Sequence, residues 1–148
     1  MIVTFCGHRN FVKTKQIEGA LIDLLEDFAA HNRTLDCYCG GYGSFDGFAS
    51  ECVKKVQERY SNVRNCLVIP YMTLEYQERV KYLQDYYDEI IYPPLENVPK
   101  KFAILRRNEW MVDHADVVIA YVLYSWGGAA HTLEYAKKKR AVVYSLHP

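Results

Sequence analysis

Asp116-Val117-Val118-Ile119-Ala120-Tyr121-Val122, followed after one leucine by Tyr124-Ser125-Trp126-Gly127-Gly128-Ala129-Ala130-His131-Thr132-Leu133-Glu134, is the stretch on which the fold of this chain turns. The first part is a β-branched, almost wholly apolar run, the most strand-like in the sequence. The second opens on a glycine pair and continues as a helix-compatible segment. Glycines at such a junction let a ligand approach the backbone. The first amides of the following helix point outward as unpaired donors suited to an anion such as phosphate.

Working outward, the same strand-loop-helix unit recurs. Met1 to Cys6 reads as a strand closed by Gly7, and Thr14 opens a segment in which Ile17, Leu21, Leu24, Leu25 and Phe28 recur at helical spacing. Leu35 to Cys39 is a second strand ending in Gly40-Gly41-Tyr42-Gly43, after which Phe48, Cys52, Val53, Val56 and Tyr60 mark one helix face. Asn65 to Tyr71 predicts a third strand and Thr73 to about Tyr87 a tyrosine-rich helix. Glu89 to Tyr92 predicts a short strand stopped by Pro93-Pro94. A helix from Lys101 to His114, the strand from Asp116 to Val122, a helix from Ala129 to Lys139 and a strand from Ala141 to Leu146 complete the pattern.

Short hydrophobic strands alternating with helices imply strands buried on both faces and joined by helical crossovers. The expected fold is a three-layer α/β/α Rossmann-like sandwich with a mainly parallel sheet, residues 1–148 forming one domain. Ligands of such sheets sit beyond the carboxyl ends of the strands, where strand order reverses.

Composition narrows the partners. The 148 residues carry 18 basic and 18 acidic side chains, so no broad positive field draws in DNA or RNA, and a nucleic-acid polymer is not expected. No apolar run approaches the roughly 20 residues that span a bilayer, and the N-terminus reads as a strand rather than a signal peptide, so a cytoplasmic protein without a membrane partner is expected. Cys6, Cys37, Cys39 and Cys66 lie in strand-like runs without paired zinc-type spacing. They read as reduced core thiols, and neither a metal site nor a cofactor is expected. The tyrosines between Tyr71 and Tyr92 suit a packed helix, a homodimer face, or a wall for a base or ribose.

Three polar loops fall at strand ends. Around Gly127 and Gly128 two readings fit. One is a phosphate cradle with Ser125 in the loop, His131 and Thr132 as added donors and Glu134 lining the same pocket. The other is a strand-to-helix turn in which glycine relieves strain, Thr132 hydrogen-bonds locally and Glu134 complements the helix dipole. The loop Gly40-Gly41-Tyr42-Gly43-Ser44-Phe45-Asp46 is either a second ligand loop or an irregular turn with Asp46 as a cap. In Gly7-His8-Arg9, Arg9 suits a phosphate or carboxylate, and His8 either donates to one or is an ordinary hydrogen-bonded residue at a strand end. Arg106-Arg107-Asn108 interrupts the helix between Phe102 and Val112 with strong anion-binding groups, or else simply charges a solvated helix face.

Three motifs together, Thr4-Phe5-Cys6-Gly7-His8-Arg9, the Cys39 to Asp46 loop, and Arg107-Asn108-x-x-Met111-Val112 leading to Asp116 and Gly127-Gly128, resemble the SLOG superfamily, and within it the small standalone YpsA-like bacterial members. The resemblance implies a Rossmann-like domain binding nucleotides or nucleotide-derived ligands, in some relatives as a sensor of NAD-derived or ADP-ribose-like signals. The candidate binding residues are Gly7, His8 and Arg9; Gly40, Gly41, Gly43, Phe45 and Asp46; Arg107 and Asn108; and Ser125, Gly127, Gly128, His131 and Thr132.

The superfamily includes the Lonely Guy (LOG) phosphoribohydrolases. Their Arg-Lys-x-x-Met motif is similar to Arg107-Asn108-Glu109-Trp110-Met111. Their Pro-Gly-Gly-x-Gly-Thr-x-x-Glu motif is matched in part by Trp126 to Glu134, with tryptophan for proline, the third glycine missing and one extra residue before Thr132. This implies, as an alternative, cleavage of the N-glycosidic bond of a nucleoside monophosphate, with Arg107 holding phosphate and Glu134 stabilising the ribose cation or activating water. A protein-interaction module built on the tyrosines is the third expectation.

Overall fold

The computed structural model describes residues 1–72 and 74–147. Among the described residues, six strands alternate with five helices: β1 (Ile2–Gly7), α1 (Lys15–His31), β2 (Leu35–Cys39), α2 (Ser44–Gln57), β3 (Val63–Val68), α3 (Leu74–Tyr86), β4 (Glu89–Ile91), α4 (Lys100–His114), β5 (Val117–Tyr121), α5 (Gly128–Lys138) and β6 (Val142–Ser145). The strands form one sheet in the order β4-β3-β2-β1-β5-β6, and every pairing among them is parallel. The expected α/β/α sandwich is therefore present, and its sheet is parallel throughout the described strands.

Alternation along each strand builds the two faces. Val3 and Phe5 of β1, Cys37 and Cys39 of β2, and Val117 and Ile119 of β5 enter one core with Leu21, Leu25 and Phe28 of α1 and Phe45, Phe48, Val53 and Val56 of α2. Cys6, Val118 and Ala120 point the other way and pack with Val112 of α4 and Ala136 of α5. Helix α1 forms where it does because Thr14 caps it: its Oγ1 accepts the Ile17 amide at 3.2 Å, satisfying one of the orphan donors of the first turn. Its buried leucines each contribute about 1.5–3 kcal/mol by leaving water.

All five cysteines are buried and free. Cys37 and Cys39 share a face, whereas Cys66, the register partner of Tyr38, lies on the opposite one. Among the described residues no helix is long and apolar enough to cross a membrane.

Local expectations shift at several points. Arg106, Arg107 and Asn108 lie within α4 rather than interrupting it. Asp46 is inside α2, whose N-cap is Gly43, so Asp46 does not cap that helix. Thr73, where a helix was expected to open, lies outside the described residues, as does the Tyr76 side chain. Tyr87 is buried against Ser50, with its hydroxyl 3.0 Å from Oγ, while Tyr82 is exposed.

The chain steps outward from β1 through β2, β3 and β4, then returns to place β5 on the other side of β1. Strand order thus reverses between β1 and β5, which opens a crevice at their carboxyl ends.

Candidate functional site

The crevice floor is set by Gly7 at the end of β1. A Cβ at Gly7 would stand 2.2 Å from the Phe45 ring, so only glycine lets α2 pack across this strand end. Phe45 is itself buried and meets Phe11 edge-on at 5.2 Å. Gly7 and Phe45, both candidate binding residues, act as a close-packed base beneath the site.

On one side stands the loop from Gly40 to Gly43. Gly41 (φ 67°) and Gly43 (φ 95°) adopt left-handed backbone that suits glycine. The Tyr42 amide donates to Asp46 Oδ2 at 3.0 Å, and both the amide and the hydroxyl of Ser44 donate to the Arg9 carbonyl, the amide at 2.9 Å. The Arg9 guanidinium lies 4.7 Å above the centre of the Tyr42 ring, a cation–π arrangement on exposed groups.

Arg107 braces this loop from beneath. It is 1% exposed, and its Nη1 donates to the Gly40 carbonyl at 2.7 Å and to the Val68 carbonyl at 2.9 Å, while Nε donates to Asn108 Oδ1 at 2.9 Å. It therefore ties the ends of β2 and β3 together, and the polar edge it turns to the crevice is shared with Asn108. Asp46 sits beside it. Burial pushes the Asp46 carboxyl up to about 6, against the opposing pull of the Tyr42 amide and of Arg107.

The other side is the loop between β5 and α5. Gly127 (φ 94°, ψ 177°) caps α5 without any side-chain hydrogen bond, so the first amides of the helix have no side-chain acceptor. A Cβ on Gly128 would meet nothing within 4 Å, which marks open space in front of this turn. Thr132 Oγ1 donates to the Gly128 carbonyl at 3.0 Å and closes the turn from inside. Before the glycines, Trp126 is 70% exposed and stacks on Tyr124, with centroids 5.0 Å apart at 14°. Tyr124 in turn meets the His8 ring at 4.7 Å. His8 Nε2 accepts the Leu123 amide at 2.8 Å, so that nitrogen is engaged as an acceptor; partial burial lowers the imidazole pKa below its ordinary value.

Together these groups line a cleft of about 540 Å³, to which His8, Arg9, Asp46, Arg107, Asn108, Gly127, Gly128 and Thr132 contribute. Several expected residues stand outside it. Gly40, Gly41 and Gly43 shape the loop behind it, and Ser125 does not line it. His131 reaches toward Glu109, with Nε2 3.7 Å from Oε2. Glu134 is exposed, 3.6 Å from Lys137 Nζ, and does not line the cleft. Its expected catalytic place is corrected by helix geometry: two residues beyond the inward-facing Thr132, it is turned about 200° around α5.

Among the described side chains, none of the tyrosines from Tyr71 to Tyr92 lines the cleft either. Its aromatic walls are Tyr42, Tyr124 and Trp126, which the sequence reading did not select. The available signal was their position inside the glycine loops already singled out.

No protein-family model matches the chain. It is 24% identical over 154 residues, covering 90% of its length, to the uncharacterized SPbeta prophage-derived protein YoqJ of Bacillus subtilis (strain 168), of which 88% is covered. Among solved structures, it is similar to DNA processing protein A of Helicobacter pylori, described in its single-stranded DNA binding mode (TM-score 0.66, 19% identity, 98% of this chain). DNA processing protein A of Streptococcus pneumoniae is equally similar (TM-score 0.66, 19% identity, 97% of this chain). The Moco carrier protein of Chlamydomonas reinhardtii follows (TM-score 0.56, 16% identity, 97% of this chain, 74% of that one). This chain spans 64% and 49% of the two DNA processing proteins.

These neighbours overturn two expectations. A protein of this fold that matches nearly the whole chain binds single-stranded DNA, so the reading of a small nucleotide-derived ligand, with its glycosidase and interaction-module alternatives, is withdrawn. The exclusion of nucleic-acid polymers falls with it. That exclusion rested on net charge, which averages over the whole surface, whereas a single strand is held by local cations and exposed ring faces. The fold itself is Rossmann-like.

Proposed function

We propose that this chain binds single-stranded DNA at the cleft between β1 and β5. The observation that carries the reading is the pairing of exposed ring faces with anion-seeking groups in one crevice. Tyr124 and Trp126 stand on one side, the Arg9–Tyr42 pair on the other, and the uncapped start of α5 opens nearby. Bases stack on aromatic faces whatever their sequence, and the backbone phosphates seek cations and helix amides. The neutral total charge is compatible with this mode, because stacking supplies affinity that electrostatics does not. A crevice with so few cations implies a short footprint, since the salt slope scales at about −0.7 per phosphate contacted by a single strand. The same proposal takes residues 1–148 as one binding domain, akin to the small YpsA-like SLOG members and working in the cytoplasm.

The test is fluorescence anisotropy with a labelled thymidine oligomer against the matching duplex at low salt. Binding of the single strand in preference to the duplex, weakened by Trp126→Ala and by Arg9→Ala, is the expected result. Equal binding to both forms, or affinity indifferent to both substitutions, would overturn the proposal.

A further inference from the structure

We propose that His8 works as a neutral hydrogen-bond acceptor that holds the stacking loop in place, rather than as a donor to phosphate. The proposal rests on the single-stranded DNA reading and assigns a positioning residue to that site.

The geometry is specific. Leu123 is the second residue beyond β5, and its amide donates to His8 Nε2 at 2.8 Å across 115 positions of sequence. The same ring packs against Tyr124 at 4.7 Å, and Tyr124 carries Trp126 at 5.0 Å in near-parallel stacking. The imidazole thus heads a rank of three rings, followed by Tyr124 and Trp126, and the free end, Trp126, is the most exposed aromatic of the cleft. The rank is already closed between its members, so a base adds at the outer face of Trp126. Only the neutral imidazole has the lone pair this arrangement needs, because both nitrogens of the protonated ring are donors.

Burial favours the same neutral form. The sign follows: the Leu123 bond is whole above the ordinary imidazole range and is lost as pH falls below it. The other titratable or charged groups lining the crevice around His8 are Cys6 on β1, Arg9 beside it, Tyr42 and Asp46 from the β2 loop and α2, Arg107 from α4, and Tyr124. Of these, Asp46, at about 6, changes charge in the same window, so it must be neutralised in the test.

Binding of a labelled thymidine oligomer is therefore followed from about pH 7.5 to about pH 5.5 in an Asp46→Asn background. Added positive charge alone would tighten binding as pH falls; the proposal expects the opposite, a several-fold weakening. His8→Phe keeps a ring but no acceptor and is expected to raise Kd about tenfold at the higher pH. His8→Gln restores an acceptor that does not titrate. It is expected to recover most of the loss and to flatten the pH profile. Tightening at low pH, or Gln no better than Phe, overturns the proposal.

Hydrogen exchange at the Leu123 amide, measured without DNA, separates this idea from the binding reading. Protection lost at low pH and in Phe but kept in Gln supports the anchor even if no variant binds DNA, an outcome that would remove only the DNA reading. Protection indifferent to His8 overturns the anchor.

Discussion

The two walls of the cleft are built on opposite principles. On the β2 side, the loop from Gly40 to Gly43 is fixed from behind by Arg107 and Asp46 and from the side by the Arg9 carbonyl, all at hydrogen-bond distance. On the β5 side, the loop carries exposed rings, and its glycine pair faces open space. Both helices that begin here are capped by a glycine in nearly the same conformation, Gly43 at φ 95°, ψ 171° and Gly127 at φ 94°, ψ 177°, and neither has a side-chain cap. The same local backbone therefore ends in a packed wall in one case and an accessible one in the other. What differs is the depth of contact behind each loop: the β2 wall is braced from within, and the β5 wall is the one whose rings the single-stranded DNA proposal uses for stacking.

That contrast is most sharply broken at Arg107. Arg107→Met should cost about 3–5 kcal/mol, because it leaves two buried strand-end carbonyls without their donor and removes the positive charge beside Asp46. Urea unfolding reads this directly, and a loss under about 1 kcal/mol would show that the brace is not needed. The paired glycines come next. Each adopts a backbone region nearly reserved for glycine, so alanine should cost about 1–3 kcal/mol at either position. Gly43→Ala should cost the more, since its Cβ would lie 2.9 Å from the Arg9 Cα, whereas Gly127→Ala meets nothing within 4 Å. Equal thermal shifts for the two would erase the distinction between the walls.

On the open side the effect moves from stability to affinity. Trp126→Ala should weaken single-stranded DNA binding by about 1–3 kcal/mol, roughly 5- to 150-fold, while leaving stability within about 0.5 kcal/mol. A large fall in Tm with unchanged Kd would reverse the assignment. The smallest expected effect is a pH slope on the packed side. The Asp46 carboxyl is raised above its unfolded value, so the folded state favours its protonated form. Its contribution to stability is full below the ordinary carboxylate range and is lost as pH rises through about 6. Comparing unfolding at several pH values with Asp46→Asn should show the slope diminished in the variant.

The legibility of these features in the sequence followed the range of the interactions that make them. The αβ alternation, the Thr14 cap and the strand-end glycines were readable because apolar periodicity and backbone permissiveness are local. Boundaries slipped where a helix end depends on its neighbours, as at Asp46, which lies inside α2 three residues past the Gly43 cap. Arg107 was read as a phosphate ligand because an arginine near strand ends has that chemistry. Its burial beneath Gly40 is set by packing between segments 67 positions apart. Tyr42, Tyr124 and Trp126 were passed over because an exposed aromatic in a loop has no periodic signature, and the exclusion of DNA failed because net charge carries no positions.

The sequence by itself determined the order of strands and helices, the parallel sandwich and the three glycine-bearing loops, since these follow from side-chain periodicity and from the conformations each residue type allows. Only the tertiary structure decided that Arg107 turns inward, that Glu134 faces solvent beside Lys137, and that His8 accepts a hydrogen bond from Leu123. Those outcomes depend on helix rotation and on contacts between distant segments. Such quantities come into being only when the sheet closes and fixes each loop against its neighbour.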